Sequence, residues 1–193
     1  MSQPATESSA STTASSSDEP TPEPPAQVTV PAIAPAAPNR LEIPTIGMDI
    51  EVGQVASVGS ADGSWSVTPP EATLHDLRIA YWWNEKQAPG NPAPGTAFLF
   101  MHTCKSISCA GNNLSHVLVG DDVTVTTPSG VLTYKVFREP QSFSKTGSNT
   151  VSNSTEVYNY DQPGVITLIT CGRSAGNTGH SDLNWVVWAK LST

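Results

Sequence analysis

The stretch Val165-Ile166-Thr167-Leu168-Ile169-Thr170-Cys171-Gly172 is an apolar run, rich in β-branched side chains, that ends in a cysteine and a glycine. Such residues favour a β-strand. A thiol at the end of this strand would be held rigidly where a substrate can reach it, as a nucleophilic cysteine requires. The alternative is that Cys171 is a small buried hydrophobic residue, since free cysteines are often buried.

A second apolar run, Ala97-Phe98-Leu99-Phe100-Met101, lies well upstream and is followed by His102. It has almost no polar face, which predicts a buried strand. One strand would then carry a thiol and the other an imidazole. The two side chains could meet at one edge of a sheet as nucleophile and general acid/base. His102 could instead be a residue at the edge of the core that makes one hydrogen bond.

The other histidines are weaker candidates for the acid/base. His75, His116 and His180 fall in predicted turns, a short helix or a loop. Of these, His180 is the reserve candidate, because it lies close to Cys171 in the sequence.

The rest of the pattern consists of short alternating strands with little helix. The clearest hairpin joins residues 121–127 to residues 131–137 through Pro128-Ser129-Gly130. A long polar loop is predicted from Gln141 to Thr155. This pattern predicts an all-β barrel or sandwich. Further elements are a short helix at 114–119 and strands at 41–43, 49–52, 79–83, 97–101, 165–170 and 185–189.

The first 38 residues differ in composition from the rest of the chain. They are almost wholly Ser, Thr, Ala, Pro, Glu and Gln, with isolated apolar side chains such as Val28 and Ile33. Such a segment cannot bury enough apolar surface to fold, so residues 1–38 are predicted to be a disordered, extended stalk or linker. Residues 39–193 would form one domain with a single core.

The net charge of −8, with nine Lys and Arg in total, argues against nucleic-acid binding. No apolar run approaches the roughly 18 residues that span a bilayer. Ser/Thr/Pro-rich stalks commonly lift domains from a cell surface. We therefore expect an extracellular location and a membrane anchor that is absent from this chain.

Three cysteines suggest one disulfide and one free thiol. Cys104 and Cys109 lie in one short loop, whereas Cys171 is distant. A disulfide again indicates an oxidising compartment; three reduced thiols are the alternative. The order His102, Cys104, Cys109, His116 does not match a recurrent zinc spacing, so no metal is predicted.

These motifs resemble those of a known family. Residues 98–103 resemble the histidine strand of sortases, and residues 167–171 match their TLxTC cysteine motif. Residues 40–47 resemble the first strand of the family, and Gly120-Asp121-Asp122-Val123 resembles a step after the histidine strand. The resemblance covers about residues 40–191. It is strongest to the class E and F enzymes of actinobacteria, judged by the compact domain and the Pro-rich leader.

The resemblance implies a sortase-type eight-stranded closed β-barrel with short helices and long loops. Sortases are membrane-anchored, extracellular cysteine transpeptidases that need no cofactor. They cleave an LPxTG-like sorting signal between Thr and Gly through a thioacyl intermediate on the cysteine. An amine on a peptidoglycan precursor or a pilin lysine then accepts the protein.

Carried over by position, the resemblance implies Cys171 as nucleophile and His102 as general acid/base. Thr170 and Thr103 become candidates for contact with the substrate or the oxyanion. The chain departs from the family at its arginine, because Asn184 occupies the expected position on the last strand. Arg173 could supply the charge instead, or Asn184 could act as a weaker neutral donor.

Two interpretations from other classes remain open. One is a non-catalytic, β-rich cell-surface module or a degenerate sortase, which the missing strand arginine would suit. The other is a different cysteine peptidase or an L,D-transpeptidase. Those enzymes place histidine and cysteine close together in one motif, which this chain does not.

Overall fold

The computed structural model describes residues 33–56, 76–90, 95–105, 108–145, 154–158, 161–172 and 182–192. Two short 3-10 helices lie in these ranges, Pro44–Ile46 and Leu114–His116. The rest of the regular structure there is β. The strands are β1 (Arg40–Ile43), β2 (Met48–Val55), β3 (Ala80–Trp83), β4 (Thr96–Met101), β5 (Asp122–Thr127), β6 (Gly130–Val136), β7 (Gln141–Ser144), β8 (Val165–Cys171) and β9 (Leu183–Leu191).

Eight strands close into a barrel in the order β6-β5-β1-β2-β3-β4-β8-β9, with β9 pairing back to β6. One edge of β9 serves two partners, since its first residues pair with β7 and its last residues pair with β6. The β2–β3 and β4–β8 pairs are parallel, and the other pairs are antiparallel. The predicted eight-stranded closed β-barrel is confirmed.

Two apolar clusters hold the barrel together. The larger cluster lines the interior, with Leu41, Val125, Tyr134 and Leu168 among its most buried members. Every barrel strand contributes to it through alternate residues, as the period of a strand requires.

The second cluster covers the outer face of β3, β4, β8 and β9, so these strands are buried on both sides. It is aromatic, and the ring centroids of Phe98 and Tyr158 lie 5.4 Å apart. Phe143 of β7 and Trp188 of β9 meet edge to face at 6.3 Å. This double burial explains why β4 has no polar face.

Two predicted elements need correction. The segment predicted as the start of a polar loop at Gln141 is strand β7, because its one aromatic residue, Phe143, is buried in the outer cluster. The helix predicted at 114–119 is a single 3-10 turn, Leu114–His116. Leu114 is its one buried residue, and the helix ends because the backbone is extended at Val117, which is itself buried in the interior cluster.

The packed unit begins before the predicted boundary at residue 39. Ile33 and Ala37 pack against the interior cluster, and the amide of Ala36 donates to the Pro89 carbonyl at 3.1 Å. Of the stalk or linker predicted for residues 1–38, residues 1–32 lie outside the described residues. In the described ranges, no helix is both long enough and apolar enough to cross a membrane.

Candidate active site

The parallel pair β4–β8 creates the candidate site. Met101, the last residue of β4, lies opposite Thr170 of β8. One residue further along, His102 and Cys171 reach the same edge of the barrel on strands that lie about 4.8 Å apart. Both are half-buried. The two residues predicted to act together therefore directly follow a residue pair in register at the strand ends, although they are distant in sequence.

Two threonine hydroxyls tie these strand ends together. The Thr103 hydroxyl lies 2.6 Å from the Cys171 carbonyl oxygen and 2.7 Å from the Thr170 hydroxyl. The Thr170 hydroxyl lies 3.0 Å from the Met101 carbonyl oxygen. Two hydroxyl hydrogens serve these three contacts, so two of them are hydrogen bonds at any moment. They fix the segment that carries His102 against the segment that carries Cys171.

This arrangement changes the interpretation of Thr170. Its side chain points to the barrel interior, is 3% exposed and is occupied by contacts within the sheet edge. In this structure the hydroxyl positions the two strand ends, and its contact with the substrate or the oxyanion stays a prediction. Cys171, the next residue, points to the opposite face, on the side of the outer aromatic cluster.

Lys145 is a site residue that the sequence did not reveal. Its ammonium group lies 3.2 Å from the Cys171 sulfur. Lys145 directly follows β7 and falls in the segment predicted as a polar loop. No motif marks it, and the contact depends on the pairing of β7 with β9. Lys145 could have been located from the sequence only if residues 141–144 had been predicted as a strand.

The structure also places one of the two candidate oxyanion donors. Asn184 of β9 lies directly opposite Cys171, so the two side chains are on one face of the sheet. Asn184 is half-buried. Arg173, the other candidate, lies outside the described residues, as do His75 and His180. His116 is exposed on the 3-10 turn.

A disulfide-closed loop borders the histidine. Cys104 and Cys109 are joined, with their Cα atoms 5.5 Å apart, and Cys171 is the free thiol. The Gly111 amide donates to the His102 carbonyl at 2.8 Å. A side chain at Gly111 would overlap the Thr170 side chain, with its Cβ 2.7 Å from Thr170 Cβ. Because residue 111 is glycine, this segment can lie in direct contact with both the His102 backbone and the Thr170 side chain.

The opposite side of this loop borders a surface cavity of about 390 Å³. Its lining includes Arg78, Cys109 and Asn112, but not Cys171. The cavity is therefore separate from the thiol. Within the described ranges, no group of three or more His, Cys, Asp or Glu side chains is arranged to hold a metal ion.

Comparison with known proteins identifies the family. A family model described as the sortase domain matches residues 41–192, which is most of the chain. The chain belongs to the sortase family. Sortases are cysteine transpeptidases, so membership implies this chemistry in general terms. A comparison with curated proteins finds no match.

Solved structures support the fold of this sortase. Sortase A from Corynebacterium diphtheriae is 18% identical, with a TM-score of 0.58, and the match covers 83% of this chain and 62% of that one. Sortase A of Listeria monocytogenes is 19% identical, with a TM-score of 0.57, and the match covers 82% of this chain and 88% of that one. Sortase C-1 from Actinomyces oris is 19% identical, with a TM-score of 0.56, and the match covers 80% of this chain and 73% of that one. At such identities the similarity shows the fold alone.

Proposed function

We propose that this sortase cleaves an LPxTG-like sorting signal between Thr and Gly and transfers the resulting acyl group to an amine. The acceptor amine belongs to a peptidoglycan precursor or a pilin lysine. The observation that supports the proposal is the parallel pairing of β4 with β8, in which the residue before His102 lies opposite the residue before Cys171.

The chemistry follows from these two groups. The Cys171 thiolate attacks the carbonyl carbon of the Thr–Gly bond, and the carbonyl π electrons move to oxygen. Collapse of this oxyanion breaks the C–N bond as His102 protonates the leaving amine. The acceptor amine then attacks the thioacyl carbon while His102 takes its proton, and the C–S bond breaks to release the thiolate. Asn184 or Arg173 would donate a hydrogen bond to the oxyanion.

We also place this enzyme with the class E and F sortases and at the extracellular face of a membrane. The compact domain and the Pro-rich leader support the class. The Cys104–Cys109 disulfide supports an oxidising location, because such bonds persist outside the cytoplasm.

The test uses fluorogenic LPxTG-type peptides with and without an amine acceptor. The enzyme is compared with Cys171→Ala, with His102→Ala, and with the matched control His116→Ala, which removes an exposed histidine. We expect Cys171→Ala to abolish cleavage and His102→Ala to reduce it by about 10²-fold or more. His116→Ala should match the wild type, and an added amine should yield the transpeptidation product.

Two outcomes would contradict the proposal. One is cleavage that persists in Cys171→Ala. The other is a wild-type protein that cleaves no peptide and whose Cys171 resists alkylation, which would indicate a degenerate sortase or a non-catalytic surface module.

A further inference from the structure

The position that carries an arginine in many sortases is Asn184 here, yet a cation still reaches the thiol. It is Lys145, whose Nζ atom lies 3.2 Å from the Cys171 sulfur. A neutral amide at Asn184 would stabilise a negative charge less than a cation does. Asn184 on β9 therefore does not supply positive charge to this site.

Backbone pairing fixes both partners of this contact to the start of β9. The Gly172 amide donates to the Leu183 carbonyl at 2.7 Å from one edge of β9. The Lys145 amide donates to the Asp182 carbonyl at 2.8 Å from the other edge. The residue after the thiol and the residue that carries the ammonium are thus anchored to two consecutive carbonyls.

The side chains share one face of the sheet. Cys171, Asn184 and Phe143 lie opposite one another across β8, β9 and β7. Lys145 follows Phe143 by two residues, which places it on the same side if the strand direction continues. Its side chain has to cross the width of β9 to reach the sulfur.

We propose that Lys145 is a catalytic residue that supplies the positive charge beside the Cys171 thiolate, from the end of β7 in place of an arginine on β9. The inference rests on the proposed role of Cys171 as nucleophile. A cation within about 4–6 Å favours the charged form of an acid, and the effect is weakened by solvent where the cation is exposed, as Lys145 is.

Other charged groups near the thiol define the competing explanations. His102 approaches from the end of β4, with Lys105 three residues beyond it. Asp182 precedes β9 and carries a negative charge, and its backbone carbonyl accepts from the Lys145 amide. Arg173 follows Gly172 and lies outside the described residues. The experiment therefore has to distinguish the effect of Lys145 on the reactivity of the thiol from the effect of Arg173.

The test is the rate of Cys171 alkylation by iodoacetamide between pH 5 and 10, at low and high salt. It compares wild type with Lys145→Met, Lys145→Arg and Arg173→Met. Lys190→Met is the matched control, since it removes an exposed lysine from the far end of β9. Because the other two cysteines are joined, the free thiol is the one that reacts.

We expect Lys145→Met to slow alkylation at pH 7 by roughly three- to tenfold and to move the rise in rate to higher pH. Lys145→Arg should retain most of the wild-type rate, and Lys190→Met should match wild type. Added salt should slow the wild type more than Lys145→Met, because salt screens the charge that only the wild type has.

The proposal fails if folded Lys145→Met keeps the wild-type pH profile, or if Arg173→Met loses as much reactivity as Lys145→Met. Circular dichroism establishes that the variants are folded. Alkylation requires no peptide substrate. A Lys145 effect on the thiol in a protein that cleaves no sorting signal would therefore reject the proposed substrate and leave this inference standing.

Discussion

Thr167 and Thr170 are the same residue type on one strand, and the structure gives their hydroxyls opposite surroundings. The Thr170 hydroxyl contacts the Met101 carbonyl oxygen and the Thr103 hydroxyl. The Thr167 hydroxyl is buried and has no hydrogen-bond partner within the part of the chain that the structure describes. A buried polar group is stabilising when it is bonded and costly when it is not.

Substitution with valine, which has a similar shape, should separate the two threonines. We expect Thr170→Val to lower the free energy of unfolding by about 1–3 kcal/mol, because a buried carbonyl loses its partner. Peptide cleavage should fall as well, since Thr103 loses a neighbour that positions it. Thr167→Val should be neutral or stabilising by up to about 1 kcal/mol.

Urea denaturation of both variants measures this difference, and each serves as the control for the other. Equal loss of stability in Thr167→Val and Thr170→Val would show that the hydroxyl contacts at the site contribute nothing specific.

Single residues also mark how far the sequence could be interpreted. Cys171 and His102 were located because each ends a strongly apolar run, and a strand end is a place where chemistry is accessible. Lys145 was missed because nothing in its own neighbourhood distinguishes it from a solvated lysine. Its contact with the thiol depends on the pairing of three strands, which a local pattern does not encode.

At the scale of elements, the loop after β4 combines a covalent constraint with contacts to the site. The disulfide spans a sequence separation of 5, and a loop this short gives about 2 kcal/mol of stabilisation in the chain-entropy model. Gly111 within the same segment is bonded to His102 and packs on Thr170. Loosening the loop should therefore affect the position of the histidine as well as stability.

The prediction compares wild type with Cys104→Ser/Cys109→Ser, each with and without a phosphine reductant. We expect the double variant to lose up to about 2 kcal/mol of stability. Its kcat/KM should fall by roughly three- to tenfold, because small displacements of a catalytic group are costly.

Reductant should move the wild type towards these values and leave the double variant unchanged, since Cys171 is reduced in both. Wild-type kinetics that do not respond to reductant, with the bond shown to be cleaved, would contradict the prediction.

Strand β7 shows why one element was absent from the predicted fold. Residues 141–144 contain one large apolar side chain, Phe143, among polar neighbours. That pattern is too short to separate a strand from a loop. The segment is β because Phe143 reaches the outer aromatic cluster and because the free edge of β9 accepts its backbone hydrogen bonds.

At the scale of the whole molecule, the pKa of the buried Tyr134 reports on the barrel interior. Burial raises the pKa of Tyr134 above its ordinary value, and a hydrogen bond with the Gly90 backbone acts in the opposite direction. The folded state therefore holds this proton more tightly than the unfolded state. The contribution of Tyr134 to stability is fully present below pH 10 or so and is lost as the pH rises further.

We expect the free energy of unfolding to fall above about pH 10, with a contribution from Tyr134 of up to about 1.4 kcal/mol per pH unit. Tyr134→Phe lacks this proton and should decline less steeply, although at pH 7 it should be less stable by about 1 kcal/mol for the lost hydrogen bond. Urea titrations from pH 8 to 11.5 measure both. Parallel curves for the two proteins would contradict the prediction.

The fold class was predictable because alternation and short apolar runs recur throughout residues 40–191. The order of strands around the barrel was not, since β4 and β8 pair in parallel across a separation of 69 residues. Such pairing is a property of the packed core. The family resemblance supplied the closed barrel where the residue pattern alone left a barrel or a sandwich.

That same pairing determines how much free energy is needed to bring the site residues together. Bringing two points 69 residues apart into contact costs about 4 kcal/mol of chain entropy plus a constant. A hydrogen bond between strand ends returns only about 1 kcal/mol net. The thiol and the imidazole therefore do not assemble themselves. Burial of side chains inside the barrel holds them together, and a fragment that begins at His102 would contain both residues but lack the strand that positions the imidazole.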